Sequence, residues 1–111
     1  MSLKVGEIGK TIRVNTDFDL SANTELTLTF TKPDATTLTK TKTTDGVSAP
    51  GTPVTDPDGN VFAANEYMEY DFASGDLDQA GRWFVKATYT DGTPKTFIGG
   101  CAELTVLPAG C

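Results

Sequence analysis

This sequence predicts an all-β sandwich, and three observations carry the prediction. Apolar and polar residues alternate along most of the chain, the period of a half-buried strand, and no segment holds helical spacing over a useful length. The run Asp78-Gln79-Ala80-Gly81-Arg82 makes an acidic, tight corner into a strand whose alternate residues Trp83, Val85, Ala87 and Tyr89 are apolar. A large aromatic dropped between two sheets fixes register there, because a slip of one residue would turn that apolar set towards water. Finally, 111 residues fill one domain, residues 1–111, with room for a single core.

The elements follow in order. Lys10 to Asn15 sets Ile12 and Val14 on one side and reads as a first strand. Asp17 to Asn23 breaks the pattern with Asp, Ser and Asn, which hydrogen-bond their own backbone in turns, and Leu20 is expected to plug the core beneath. Glu25 to Thr31 is the clearest strand: Leu26, Leu28 and Phe30 alternate with Thr27, Thr29 and Thr31, β-branched residues suited to a wet pleated face. Pro33 and Asp34 end it, since proline cannot donate to a ladder. The return from Thr36 to Thr44 offers only Leu38 to a core and carries Lys40 and Lys42, charges that blunt an exposed sheet edge.

Asp45 to Asn60 holds Gly46, Pro50, Gly51, Pro53, Pro57 and Gly59 with little to bury except Val47 and Val54, and reads as a long loop or a short ribbon. Val61 to Phe72 resumes a strand, with Met68, Tyr70 and Phe72 inward and Tyr67, Glu69 and Asp71 outward. Ala73 to Gly81 crosses between sheets, with Leu77 sealing the core and Ser74 or Asp76 placed to cap one helical turn. Beyond the Arg82 to Thr90 strand, Asp91-Gly92 signals a turn. Lys95 to Leu107 closes the chain, with Ala102, Leu104 and Val106 inward and a bulge at Gly99-Gly100. The expected core anchors are Leu28, Phe30, Trp83, Val85 and Tyr89.

Charge and composition narrow the function classes. A net charge of -6 argues against nucleic acid, whose binding draws on clustered Lys and Arg. No run approaches the roughly 18 apolar residues of a membrane span, so no membrane partner is expected. The start, Met1 to Gly6, lacks a signal-type apolar stretch and predicts folding in a cytoplasm. Lys32, Lys40 and Lys42 lie close together while Glu66, Glu69, Asp71, Asp76 and Asp78 follow without a base, an asymmetry that could orient head-to-tail neighbours or simply keep strand faces solvated.

Reactive chemistry is sparse. The chain has no histidine, so it offers no Ser-His or Cys-His pair and too few ligands for a structural zinc. Its two cysteines, Cys101 and Cys111, read as reduced thiols, Cys101 partly packed and Cys111 open to an intermolecular bond in an assembly. Carboxylate pairs such as Asp76 with Asp78 or Glu66 with Glu69 are ordinary for an acidic surface. Asp56-Pro57-Asp58-Gly59-Asn60 begins like a calcium loop but has Val61 where that loop needs Gly and Tyr67 where it needs Glu, so a plain turn is the better reading. No catalytic residue, cofactor or metal site is predicted.

The corner also carries a resemblance. Asp78, Ala80, Gly81, Trp83 and Val85 resemble the immunoglobulin-type motif leading into strand F, with Val85 where a disulfide cysteine usually stands. The early Asp-Leu-Ser element, the threonine-rich strand ending in Lys-Pro-Asp, and the late Asp-Leu-Asp-Gln-Ala-Gly-Arg-Trp corner followed by Tyr-Thr-Asp-Gly resemble immunoglobulin-like domains of tailed bacteriophage virion proteins, similar to the N-terminal domains of baseplate upper proteins. The resemblance implies an immunoglobulin-like sandwich of about seven antiparallel strands. It also implies a non-enzymatic structural component of a virion, made in the host cytoplasm, in the tail, baseplate or neck. The implied partners are other virion proteins and copies of itself in a homo- or hetero-oligomeric assembly. The alternatives are a capsid decoration protein and a carbohydrate or host-surface binding module. Expected partner contacts are Val47, Ser48, Pro50, Pro53, Val54, Asp56 and Asp58 in the long loop, the flanks of Thr90 to Lys95, and Tyr67, which serves either as an outer-face anchor or as a cross-strand partner.

Overall fold

The computed structural model describes residues 3–16, 18–91 and 96–109, with no side-chain description at 91 and 96–101. The described residues form β1 (Leu3–Lys4), β2 (Thr11–Asn15), β3 (Asn23–Thr31), β4 (Thr37–Thr41), α1 (Lys42–Asp45), β5 (Val54–Thr55), β6 (Val61–Phe62), β7 (Tyr67–Asp71), β8 (Gly81–Asp91) and β9 (Thr96–Leu107). The protein is all-β, with 49% of it in strands and 4% in helix.

Five strands make a curled mixed sheet in the order β1-β9-β8-β3-β4, and β2 pairs with β7, β5 with β6. Alternation explains which faces meet. Leu26, Leu28 and Phe30 of β3, and Trp83, Val85 and Ala87 of β8, are fully buried on one face of the large sheet. Ile12 and Val14 of β2, with Met68 and Tyr70 of β7, complete the same core from the other side. Phe30 joins the layers, its ring centroid lying 5.5 Å from Phe72 and 6.4 Å from both Tyr70 and Trp83. Leu20 and Leu77 are buried as expected, and Tyr89 is 8% exposed at the end of its strand.

The corner is built as its sequence suggests. Trp83 Nε1 donates to the Gln79 carbonyl four residues upstream at 3.0 Å, so the indole is satisfied as well as buried. Lys32 Nζ stands 5.5 Å from the indole ring centroid and pairs with Asp78 at 2.9 Å. Gly81 has φ +133°, and a Cβ there would meet Pro33 Cγ at 2.8 Å, so both backbone conformation and space require glycine.

Several expectations need correction. The described residues form nine strand segments, several of only two residues, where about seven strands are expected, and β1 runs parallel to β9, pairing Leu3 with Val106. A two-residue strand is too short to show alternation, which is why it left no trace in the sequence. The return strand ends at Thr41 rather than Thr44, because the Thr41 hydroxyl accepts from the Thr44 amide and caps α1, with Gly46 left-handed at its end. Residues 73–80 hold turns and extended chain instead of a helical turn; the Asp76 carboxylate accepts from the Ala73 amide at 2.7 Å. Val61 to Phe72 is two strands with a turn between them. The bulge at Gly99-Gly100 is present: Lys86 faces Cys101 and Thr88 faces Ile98, three steps on β9 against two on β8. The Asp91-Gly92 turn, the Thr90 to Lys95 flank beyond 91, the Cys101 side chain and Cys111 lie outside what the structure describes.

Candidate functional site

The segment expected to make contacts is a small structured arm. Val54 and Thr55 pair with Phe62 and Val61, and the turn between them is closed by Asp56, whose Oδ1 accepts from the amides of Asp58 and Asn60 at 3.0 and 2.9 Å. Asn60 Nδ2 donates to Asp56 Oδ2 at 3.1 Å. The Asn60 side chain holds the Asp56 carboxyl below its usual range, with the Asn60 and Asp58 amides adding to the effect. The Asp-Pro-Asp-Gly-Asn motif is therefore an Asp-based turn that uses its own carboxylate internally.

Of the proposed contacts on this segment, Ser48, Pro53 and Asp58 are exposed, and Pro50, Val54 and Asp56 are half-buried. Val47 is corrected: at 1% exposure it belongs to the core. Ser48 pairs through its backbone with Glu69, which anchors the segment to the free side of β7. Tyr67 is also corrected, because it is 0% exposed where the sequence places it outward. The arm folds over it: Phe62 lies 5.5 Å from its ring centroid and its hydroxyl donates to the Thr52 carbonyl at 3.0 Å. Tyr67 is the floor beneath the arm and not an anchor for a partner.

Between the arm and β2 runs an open groove of about 480 Å³, lined by Lys10, Thr11, Arg13, Asp56, Pro57, Asp58 and Phe62. Its charges are largely engaged within the chain, Arg13 with Glu69 at 2.9 Å and Lys10 with Glu7 at 3.5 Å. Phe62 is only 8% exposed, so the groove offers no aromatic platform on which a sugar ring could stack.

Exposed apolar side chains stand elsewhere. Val61 at the tip of the arm is 65% exposed. Phe84, 43% exposed, sits on the outer face of the large sheet, opposite Thr31 on β3 and Glu103 on β9. Thr27, Thr29 and Thr31 face Thr41, Thr39 and Thr37 on the same side. Phe84 was not singled out from the sequence, although its position out of phase between Trp83 and Val85 announces an outward aromatic.

The polar cluster at the opposite margin was missed altogether. Lys40, expected to be a solvated edge charge, lies opposite the buried Leu28 on the inner face of β4. Its Nζ meets Asp76 Oδ1 at 3.1 Å and Asp45 Oδ1 at 3.7 Å, and stands 5.7 Å from the Tyr70 ring centroid. Tyr70 donates its hydroxyl to Asp76 Oδ2 at 2.5 Å. Burial and the bond to Asp76 push the Tyr70 hydroxyl up to about 12. Burial opposes ionisation of both Asp76 and Lys40, but hydrogen bonds from Tyr70, the Ala73 amide and Lys40 hold the Asp76 carboxyl below its usual value, and Asp76 holds the Lys40 ammonium above its own. Part of the charge asymmetry read along the sequence is met inside the chain, Lys32 with Asp78 and Lys40 with Asp76.

Family models, curated proteins and solved structures yielded no match to this chain. Fold and surface define the class at its coarsest, an all-β domain that exposes Ile8, Phe18, Val61, Phe84 and Leu107 among its described residues. No helix among the described residues is long and apolar enough to cross a membrane.

Proposed function

We propose that the chain is an immunoglobulin-like module serving as a non-enzymatic structural component of a bacteriophage virion, in the tail, baseplate or neck. The strand order β1-β9-β8-β3-β4 against β2-β7 supports the immunoglobulin-like reading, as does the Trp83 indole bonded to the Gln79 carbonyl, the place and bond of the aromatic corner in such sandwiches. One observation carries the assembly role: the packed core presents Phe84, 43% exposed, on an open, threonine-rich sheet face, where the ring is available to a partner. Val61 on the arm provides a second point of contact. A glycan-binding role is less favoured, since Tyr67 and Phe62 are turned inward.

The test is quantitative mass spectrometry of purified particles carrying an epitope-tagged copy. A ring-scale copy number fits tail, baseplate or neck, a shell-scale number points to capsid decoration, and absence from particles overturns the virion role. Phe84→Glu should fold, by Trp83 fluorescence, yet incorporate at least tenfold less. Undiminished incorporation would remove the outer sheet face from the assembly surface.

A further inference from the structure

The Lys40, Asp45 and Asp76 cluster is placed for covalent chemistry that a simple ion pair does not need. We propose that Lys40 and Asp76 condense to an intramolecular amide that ties β4 to the β7–β8 corner, with Asp45 shuttling the protons. Four observations support the step. The two reacting side chains are nearly dry, 14% and 7% exposed, and Nζ lies 3.1 Å from Asp76 Oδ1, which holds the amine beside the carboxyl group it would attack. The second carboxylate, Asp45, reaches the same Nζ and is fixed by accepting from the Thr41 amide at 2.9 Å. The two oxygens of Asp76 are differentiated. Oδ1 faces the amine, while Oδ2 accepts from both the Tyr70 hydroxyl and the Ala73 amide. Those two donors point at the oxygen on which negative charge develops when an amine adds to the carboxyl carbon, the arrangement of an oxyanion hole.

The balance closes without an outside reagent. Asp45 accepts a proton from the Lys40 ammonium, and the freed Nζ lone pair attacks Asp76 Cγ. Charge collects on Oδ2 against Tyr70 and Ala73. The bond from Cγ to Oδ1 breaks as Oδ1 takes up two of the three Nζ protons by way of Asp45. One amide bond forms, one water leaves, and Asp45 returns to its starting state. The resting ion pair favours the charged forms of both partners, so this first proton transfer is the slow step, and the low exposure of the two side chains slows hydrolysis of the product. This inference does not rest on the virion role.

Intact mass spectrometry of the denatured full chain tests it, with Lys40→Arg as the reference because it keeps charge and burial but cannot form the same amide. The wild type is expected to weigh one water less than its sequence, and proteolysis should release a branched peptide joining the Lys40 and Asp76 segments. Lys40→Arg should weigh its full sequence, and Asp45→Asn, checked as folded by Trp83 fluorescence, should condense at least about a hundredfold more slowly. A wild-type mass equal to the full sequence after prolonged incubation of the folded protein would overturn the proposal, leaving a buried ion pair. So would a water loss that persists in Lys40→Arg, which marks a succinimide at Asp45-Gly46, Asp58-Gly59 or Asp91-Gly92 instead.

Discussion

The Trp83 corner and the β5–β6 arm are both short, turn-rich and acidic, yet one is the centre of the core and the other lies over its margin. At the corner, a buried indole, a backbone carbonyl four residues away and a glycine with no room for a side chain all fix one geometry. In the arm, a two-residue ladder and an Asp-based turn hold the backbone, while Val61 points to water. The difference teaches that a turn's rigidity comes from what lies beneath it. The corner packs against both layers, whereas the arm turns its own Phe62 onto Tyr67 beneath it.

The sharpest way to break this contrast is Trp83→Ala, which should lower the unfolding free energy by about 3 to 5 kcal/mol, the usual cost of emptying a buried aromatic site. Urea denaturation measures it, and a loss under about 1 kcal/mol would place the ring outside the core. Gly81→Ala should cost about 1 to 3 kcal/mol through its positive φ and the Pro33 contact, read by the same denaturation curve. In the arm, Tyr67→Phe removes one hydrogen bond and should cost about 0.5 to 1.5 kcal/mol, towards the lower end because Thr52 is exposed and its carbonyl can turn to water.

Two smaller effects sharpen the comparison from the arm's side. Val61→Asp should change stability by no more than about 0.5 kcal/mol, since the side chain is already in solvent. Acid should loosen the arm's turn while leaving the corner alone. The Asp56 carboxyl sits below the ordinary aspartate value of 3.8, so its contribution is fully present above that pH and is lost as pH falls through the lower folded value. The amide resonances of Asp58 and Asn60 should titrate with a midpoint below 3.8 while Trp83 fluorescence stays constant. A midpoint at or above that value would mean that the turn does not use the ionised carboxylate.

Local pattern and distant contact divide what could be read in advance. The strands β3 and β8 were legible because each alternates over nine or more residues, enough to commit one face to the core. The same rule misplaced Tyr67: it is out of phase with Met68 and Tyr70, and its burial depends on an arm that ends five residues earlier in the chain and folds back over it. Lys40 failed for a related reason. Its spacing from Leu38 is that of one strand face, but a lysine at an edge strand reads as solvated unless its acidic partners are known. Those partners stand 5 and 36 residues further along, at Asp45 and Asp76.

By itself the sequence determined the period of its strands, the tight glycine corner and the aromatic that fills the space between layers, since each depends on neighbours within a few residues and on the separation of apolar from polar faces. Only the tertiary structure decided that β1 adds in parallel to β9, that the proline-rich arm closes over Tyr67, and that Lys40 turns inward to meet Asp76. Those outcomes depend on which surfaces come together after the strands have formed, and residues far apart in the chain carry no local mark of the partner that will desolvate them.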